Sequence, residues 1–252
     1  MKYYITDISI FLLFKKKYTF VCIGLMKEYL KRIIIDIKNI MKEPIEGIYY
    51  EPDEDDISKG YAMVMGPKDT PYQYGYYFFE FKFPENYPYQ PPHVIYRTND
   101  GIVRYNPNFY KSGKVCLSIL NTWPGERWSS CQTLRSVLIT LQMTMNEQPL
   151  LNEPGVSDDK HKQSIEIYNE TIYYKNIDFV ILEYLKNKER IPAKFSIFYD
   201  TMKEEYNKNK DMILEYINNN ITKKGFLSSN IYSMNISYNY KNLLDKYNSL
   251  EI

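Results

Sequence analysis

The sequence predicts an α+β fold: an N-terminal helix, a four-stranded antiparallel meander sheet, a long functional loop, then helices. Three observations carry this reading. Apolar residues recur at helical spacing over 25–43. Strand-like runs separated by Gly- and Pro-bearing turns occupy 48–98. Helical spacing returns at 132 and continues, with polar breaks, towards 252. The expected divisions are an N-terminal extension over 1–24, a core over 25–185, and a helical extension over 186–252 packed on or beside it.

Composition bounds the function. The chain has 252 residues, 44% of them hydrophobic and 16% aromatic, enough to fill a core. A net charge of +1 gives no bulk reason to expect nucleic acid. The three cysteines, Cys22, Cys116 and Cys131, form no CxxC pair and no metal spacing. They point to a reduced, cytoplasmic protein, with the nucleus also open, and to no metal and no cofactor. The two histidines, His93 and His161, lack ligand neighbours at useful spacing, and both are expected at the surface.

Residues 1–24 hold ISIFLLF at 8–14, then Lys15, Lys16 and Lys17. The charge falls after the apolar run, unlike a signal peptide. Each apolar run is far short of the ~20 residues that span a bilayer, so no stable membrane insertion is expected. An extra strand or a tail is the expectation.

In the first helix Met26, Leu30, Ile33, Ile34, Ile37, Ile40 and Met41 share a face, while Lys27, Lys31, Arg32 and Lys38 lie on the other. Pro44 closes it. The candidate strands are 48–51, 61–65, 74–83 and 94–98. In the third, Tyr77, Phe79, Phe81 and Phe83 alternate with Phe78, Glu80 and Lys82, the period of a half-buried strand. Pro84, Pro88, Pro91 and Pro92 cannot donate to a ladder and make the next stretch a stiff surface loop. Leu134, Val137, Leu138, Leu141 and Met145 stripe a second helix over 132–145, capped by Ser130 or Thr133. Later helices are expected near 160–187, 194–220 and 239–250.

Between strands and second helix lies 104–134, with Asn106-Pro107-Asn108, Ser112-Gly113 and Pro124-Gly125 marking turns around Cys116. A long folded loop presents a thiol to solvent. Trp123 and Trp128 anchor it by burial. Cys131, at a helix start, reads as a small buried thiol, and Cys22 as a packing residue.

Asn-Pro-Asn, then Cys116 eight residues after Asn108, then a Trp-Ser pair before a helix, resembles the active-site segment of ubiquitin-conjugating enzymes. Most of that family has His where Asn106 stands. The longer pattern CLSIL-x-TW-x-G-x-x-WS resembles the family's large Z-type members, which carry Asn-Pro-Asn and a C-terminal extension. The resemblance implies the family's core fold, a transferase of the ATP-binding ubiquitin-like conjugation pathway, and four kinds of partner. These are ubiquitin or a ubiquitin-like modifier, an activating enzyme, a ligase, and substrate lysines.

It also assigns roles. Cys116 is the thioester nucleophile; a free thiol of pKa ~8.5 is already a few per cent ionised at neutral pH. Asn108 stabilises the oxyanion, a contribution of roughly 3 kcal/mol in analogous sites, or braces the loop. Asparagine in such turns also caps its own backbone, and that reading stays open. Glu153, before Pro154, orients the incoming lysine, and Asn152 could serve instead. Ser118 stands where many members have Asp. Lys27, Lys31 and Arg32 face the activating enzyme, and Tyr89 and Ser130 the ligase. Two other readings compete: a scaffold that only binds ubiquitin or a ligase, and a cysteine hydrolase, which would need a histidine partner.

Overall fold

A computed structural model describes residues 27–251. The reading of 1–24, the placement of Met26 and the role of Cys22 lie outside the described residues. The first helix, α1, runs Glu28–Lys42 and buries Ile33, Ile37 and Ile40, three of the apolar stripe. It also buries Asp36, a position that helical spacing alone does not mark as polar core. Strands β1 (Ile48–Pro52), β2 (Lys59–Met65), β3 (Tyr76–Lys82) and β4 (His93–Tyr96) form an antiparallel meander in sequence order. The register sets Tyr50 opposite Ala62, Ala62 opposite Phe79 and Phe79 opposite Tyr96. The second helix, α2, is Leu134–Thr144, and Thr133 caps it in a reciprocal pair with Ser136.

Strand β3 departs from the half-buried expectation. Tyr76, Tyr77, Phe78 and Phe79 are all buried. Phe79 meets Phe109 and Tyr96 on one face, while Phe78 meets Tyr184 and Phe195 on the other. The second face is covered by residues far downstream, which local periodicity cannot register. Tyr76 Oη donates to Met202 O at 3.0 Å, and Tyr77 Oη to Asn176 Oδ1 at 2.7 Å, tying the sheet to the same C-terminal segments.

The C-terminal part starts with α3 (Asp158–Lys175), which continues into wide turns over Asn176–Glu183 and a last turn, Tyr184–Lys186. Then come α4 (Tyr199–Asn219), β5 (Lys224–Ser229), β6 (Met234–Asn239) and α5 (Tyr240–Asn248). The β5–β6 hairpin corrects the expectation of an all-helical extension. Its signal was present as Met234, Ile236 and Tyr238 alternating with Asn235, Ser237 and Asn239, but the first strand is mostly exposed and lacks a clear alternation. His161 is also corrected: it is half-buried in a kink of α3, with its Nδ1 3.1 Å from the Ser157 amide. His93 is exposed, as expected.

A charge cluster clamps α5 to the core. Lys246 Nζ reaches Asp178 Oδ1 at 2.9 Å and Glu183 Oε2 at 2.8 Å; Lys175 Nζ reaches Asp178 Oδ2 at 2.9 Å. Burial alone would raise the Asp178 and Glu183 pKa values. The lysines outweigh it and hold both below the ordinary carboxylate values. A depressed folded pKa contributes stability that is complete above the unfolded value, about 4, and is lost as pH falls through the folded value. The melting temperature should therefore decline below about pH 5, and Lys246→Met should flatten part of that decline. An acid limb identical in the variant would show that the cluster contributes nothing.

Gly66 positions the site from a distance. A Cβ there would lie 1.8 Å from the Tyr72 carbonyl oxygen, so only glycine allows the 66–72 segment to close on itself. Tyr72 is thereby buried beside the functional loop, where its hydroxyl donates to Tyr105 O at 2.6 Å.

Candidate active site

Cys116 is pinned through its backbone from two sides. The Cys116 amide donates to Asn108 O at 2.9 Å, and Asn108 Nδ2 donates to Cys116 O at 2.7 Å. On the other side, Thr122 Oγ1 donates to Val115 O at 2.8 Å and accepts from the Leu117 amide at 3.0 Å. Thr122 thus grips the residue before and the residue after the cysteine. Sequence reading passed over it, although it sits inside the Thr-Trp pair of the motif. A hydroxyl has no fixed spacing signature, and only the loop's path brings it there.

Asn106 explains its own identity. It is fully buried, and its Nδ2 donates to Tyr72 Oη and to Thr144 O, each at 2.9 Å. Its Oδ1 accepts the Asn108 amide at 2.8 Å. Asn106 therefore fixes Asn108, and Asn108 fixes Cys116. The Asn108 amide orientation is set by these partners, because its Nδ2 must face a carbonyl. Its Oδ1 is buried without a partner. This is the bracing geometry; one Nδ2 hydrogen is not committed to Cys116 O.

The sulfur itself is not presented to solvent. Cys116 is only 1% exposed, which overturns the expectation of a surface thiol. Beyond the cysteine the chain turns back on itself. After the short helical turn Ser118–Leu120, Asn121 adopts φ 58° and Gly125 φ 131°, and the loop folds back against Ser118. A Cβ on Gly125 would lie 3.1 Å from that of Ser118. Trp128 closes the loop: it is buried, and its Nε1 donates to Pro88 O at 2.6 Å. Trp123, by contrast, is only half-buried, so only one of the two tryptophans is a buried anchor. Cys131 is also corrected: it is exposed, because its segment lies on the surface before α2 begins.

A cleft of about 480 Å³ adjoins this loop, lined by Asn108, Trp123, Met143, Thr144, Asn146 and Asn152 among others. Asn152 Nδ2 donates to Thr144 O at 3.2 Å, and Asn146 Nδ2 to Asn152 Oδ1 at 3.2 Å. Asn152 therefore faces the cleft with Asn108. Glu153 is the next residue in the chain, and its carboxylate accepts a hydrogen bond from Tyr232 of the β5–β6 hairpin.

The remaining site residues lie apart from Cys116. Lys27 is exposed and pairs with exposed Glu85 at 3.0 Å; the Glu85 carboxylate holds the Lys27 amine above its ordinary value. Lys31 pairs with Glu28 at 2.7 Å. Arg32 is invested inside the molecule: it donates to Asp36 Oδ1 at 3.0 Å, Ser130 O at 3.1 Å and Gln132 O at 2.6 Å. Its guanidinium joins α1 to the approach of α2, so this part of the basic face is already engaged within the molecule. Tyr89 is 80% exposed on the Pro-rich loop, and Ser130 is exposed with its carbonyl taken by Arg32.

The family model described as ubiquitin-conjugating enzyme matches residues 32–178, and the chain belongs to that family, whose members transfer ubiquitin through a cysteine thioester. Several relatives bear the name ubiquitin-conjugating enzyme E2 Z. The chain is 46% identical over 162 residues to ubiquitin-conjugating enzyme E2 Z of Xenopus tropicalis, covering 64% of this chain and 52% of the relative. It is 44% identical over 160 residues to the Homo sapiens enzyme of that name, covering 63% and 45%. For the Danio rerio enzyme the figures are 42% over 177 residues, covering 69% and 54%. The chain spans about half the length of the curated relatives it matches.

Proposed function

We propose that this chain accepts ubiquitin or a ubiquitin-like modifier from an activating enzyme as a thioester on Cys116, and passes it to a substrate lysine, alone or with a ligase. In the first step the Cys116 thiolate attacks the carbonyl carbon of the incoming thioester. A new C–S bond forms, and the activating enzyme leaves as a thiolate. ATP enters through the activating enzyme. Thioester exchange is near thermoneutral, so no strong base is needed. In the second step a neutral lysine amine attacks the same carbon. The C–N bond forms, the C–S bond breaks, and Cys116 leaves as a thiolate. The amine's proton passes to a nearby base, for which the Glu153 carboxylate is the candidate, while Asn152 can only orient the amine by hydrogen bonding.

The observation that carries this reading is the double hydrogen bond between Asn108 and Cys116. It places the motif's amide against the backbone of the motif's sulfur. Burial of that sulfur requires its surroundings to open before charging. The same burial favours a second reading, a conjugating-fold scaffold that binds ubiquitin or a ligase without carrying it. Incubation with activating enzyme, ATP and ubiquitin separates the two. An adduct of one modifier that thiol reductant removes supports the carrier; no adduct from folded protein across a panel of activating enzymes supports the scaffold.

Asn108→Ala should slow discharge of the loaded enzyme to free lysine by on the order of 10²-fold, with a smaller effect on charging. Equal slowing of both steps would reduce Asn108 to a brace. The exposed basic face of α1 is proposed to meet the activating enzyme, and Tyr89 with the Ser130 surface to meet a ligase. Reversing Lys27 and Lys31 to Glu should weaken charging with little change in melting temperature, since solvent screens ion pairs near the surface. Arg32→Glu should instead lower the melting temperature, and charging rates unaffected by the lysine reversals would remove this face from the interface.

A further inference from the structure

We propose that Tyr232, at the tip of the C-terminal β5–β6 hairpin, is a positioning residue for lysine discharge, holding the Glu153 carboxylate on the loop next to the cleft-lining Asn152. The inference rests on the reading of Glu153 as the group that orients the acceptor lysine.

One side chain from the extension links the Glu153 loop to Arg104, which holds the Asn-Pro-Asn turn. The Tyr232 hydroxyl donates to Glu153 Oε2, on the loop whose previous residue, Asn152, lines the cleft with Asn108. Its ring packs against the Arg104 guanidinium at 4.2 Å, which stacks on Tyr110 at 3.7 Å from its other partner ring. Arg104 in turn donates through Nη2 to the carbonyl oxygen of Pro107, the centre of the Asn-Pro-Asn turn. Arg104 is held at its backbone as well: its carbonyl accepts from Tyr168 Oη at 2.7 Å, and its amide lies 3.2 Å from Met234 Sδ on the hairpin. Tyr168 also meets the Tyr232 ring edge-on.

The backbone of the hairpin tip is shaped for this contact. Tyr232 and Ser233 adopt φ 63° and 51°, in the left-handed region that residues with a Cβ enter only when their surroundings compensate. The compensation visible here is the ring between Arg104 and Tyr168 and the hydroxyl on Glu153. Glu153 Oε1 makes no hydrogen bond among the described residues, so the carboxylate keeps an acceptor available while Oε2 is held. A phenol donor stabilises the ionised carboxylate, the form that can accept a hydrogen from a lysine amine. The extension therefore supplies a part of the acceptor side that the core alone lacks.

The test uses the full chain, loaded with ubiquitin and chased with free lysine in a single turnover. Wild type, Tyr232→Phe, Glu153→Gln and the double variant are compared, with charging rate and melting temperature measured for each. Tyr232→Phe keeps the ring and loses only the hydroxyl. It should charge at the wild-type rate and discharge roughly tenfold more slowly, the scale of one hydrogen bond to a charged group. Glu153→Gln should also discharge slowly, and adding Tyr232→Phe to it should change nothing further. If Glu153→Gln is slow while Tyr232→Phe discharges at or above the wild-type rate, the proposal fails and the lysine-orienting reading of Glu153 survives. Normal discharge by Glu153→Gln removes that reading, and the proposal with it. A Tyr232→Phe that loses charging and discharge equally, or melts early, marks the contact as structural and also overturns the proposal.

Discussion

Cys116→Ala is expected to form no modifier adduct at all, and Cys116→Ser to accumulate one that thiol reductant cannot remove. The argument is chemical. A serine hydroxyl at the same backbone position makes an oxyester, which thiols do not readily cleave, whereas the native thioester exchanges freely. Because the backbone around residue 116 is held by Asn108 and Thr122 rather than by the sulfur, both variants should keep the loop in place. Serine puts a hydroxyl where a thiol is buried, at a cost of about 1–3 kcal/mol, so melting temperature must accompany the gel. A reductant-sensitive adduct persisting in Cys116→Ser would show that another thiol carries the cargo. The exposed Cys131 would be the first to examine.

Asp36→Ala is expected to lower stability by about 3–5 kcal/mol, the cost of removing one partner from a buried charged pair. Asp36 is 2% exposed. Its carboxylate accepts from Arg32 Nε at 3.0 Å, from the Tyr87 hydroxyl, and from the Leu134 amide at 3.2 Å. It therefore joins α1, the Pro-rich loop and the start of α2 at one point. Truncation leaves three donors without their acceptor in a site that water reaches poorly. For a chain of this size the melting temperature should fall by on the order of 10 °C. A loss below about 1 kcal/mol would mean that water or a neighbouring carbonyl takes over the donors. The same node explains why Arg32 and the lysines of α1 are expected to behave differently on charge reversal, although all three lie on the helix face left by the apolar stripe.

Much of the site was readable locally because it is built on short spacings. The eight residues from Asn108 to Cys116 close as a single pair of backbone-linked turns, so motif and contact coincide. The sheet was readable for the same reason: a meander pairs neighbours in sequence, and its turns carry Gly and Pro. Glu153 was legible only as a residue type before a proline. Its partner lies 79 positions away on a hairpin whose first strand shows little alternation.

The sequence by itself determined the meander, the two core helices, and a cysteine set eight residues after the Asn-Pro-Asn turn, because periodicity and turn chemistry act over a few residues. Tertiary structure alone decided that the sulfur is covered, that Asp36 is buried against a half-buried Arg32, and that the extension's hairpin reaches Glu153 and Arg104. Each of these depends on which distant surfaces exclude water from one another, and that is a property of the folded chain rather than of any short stretch of it.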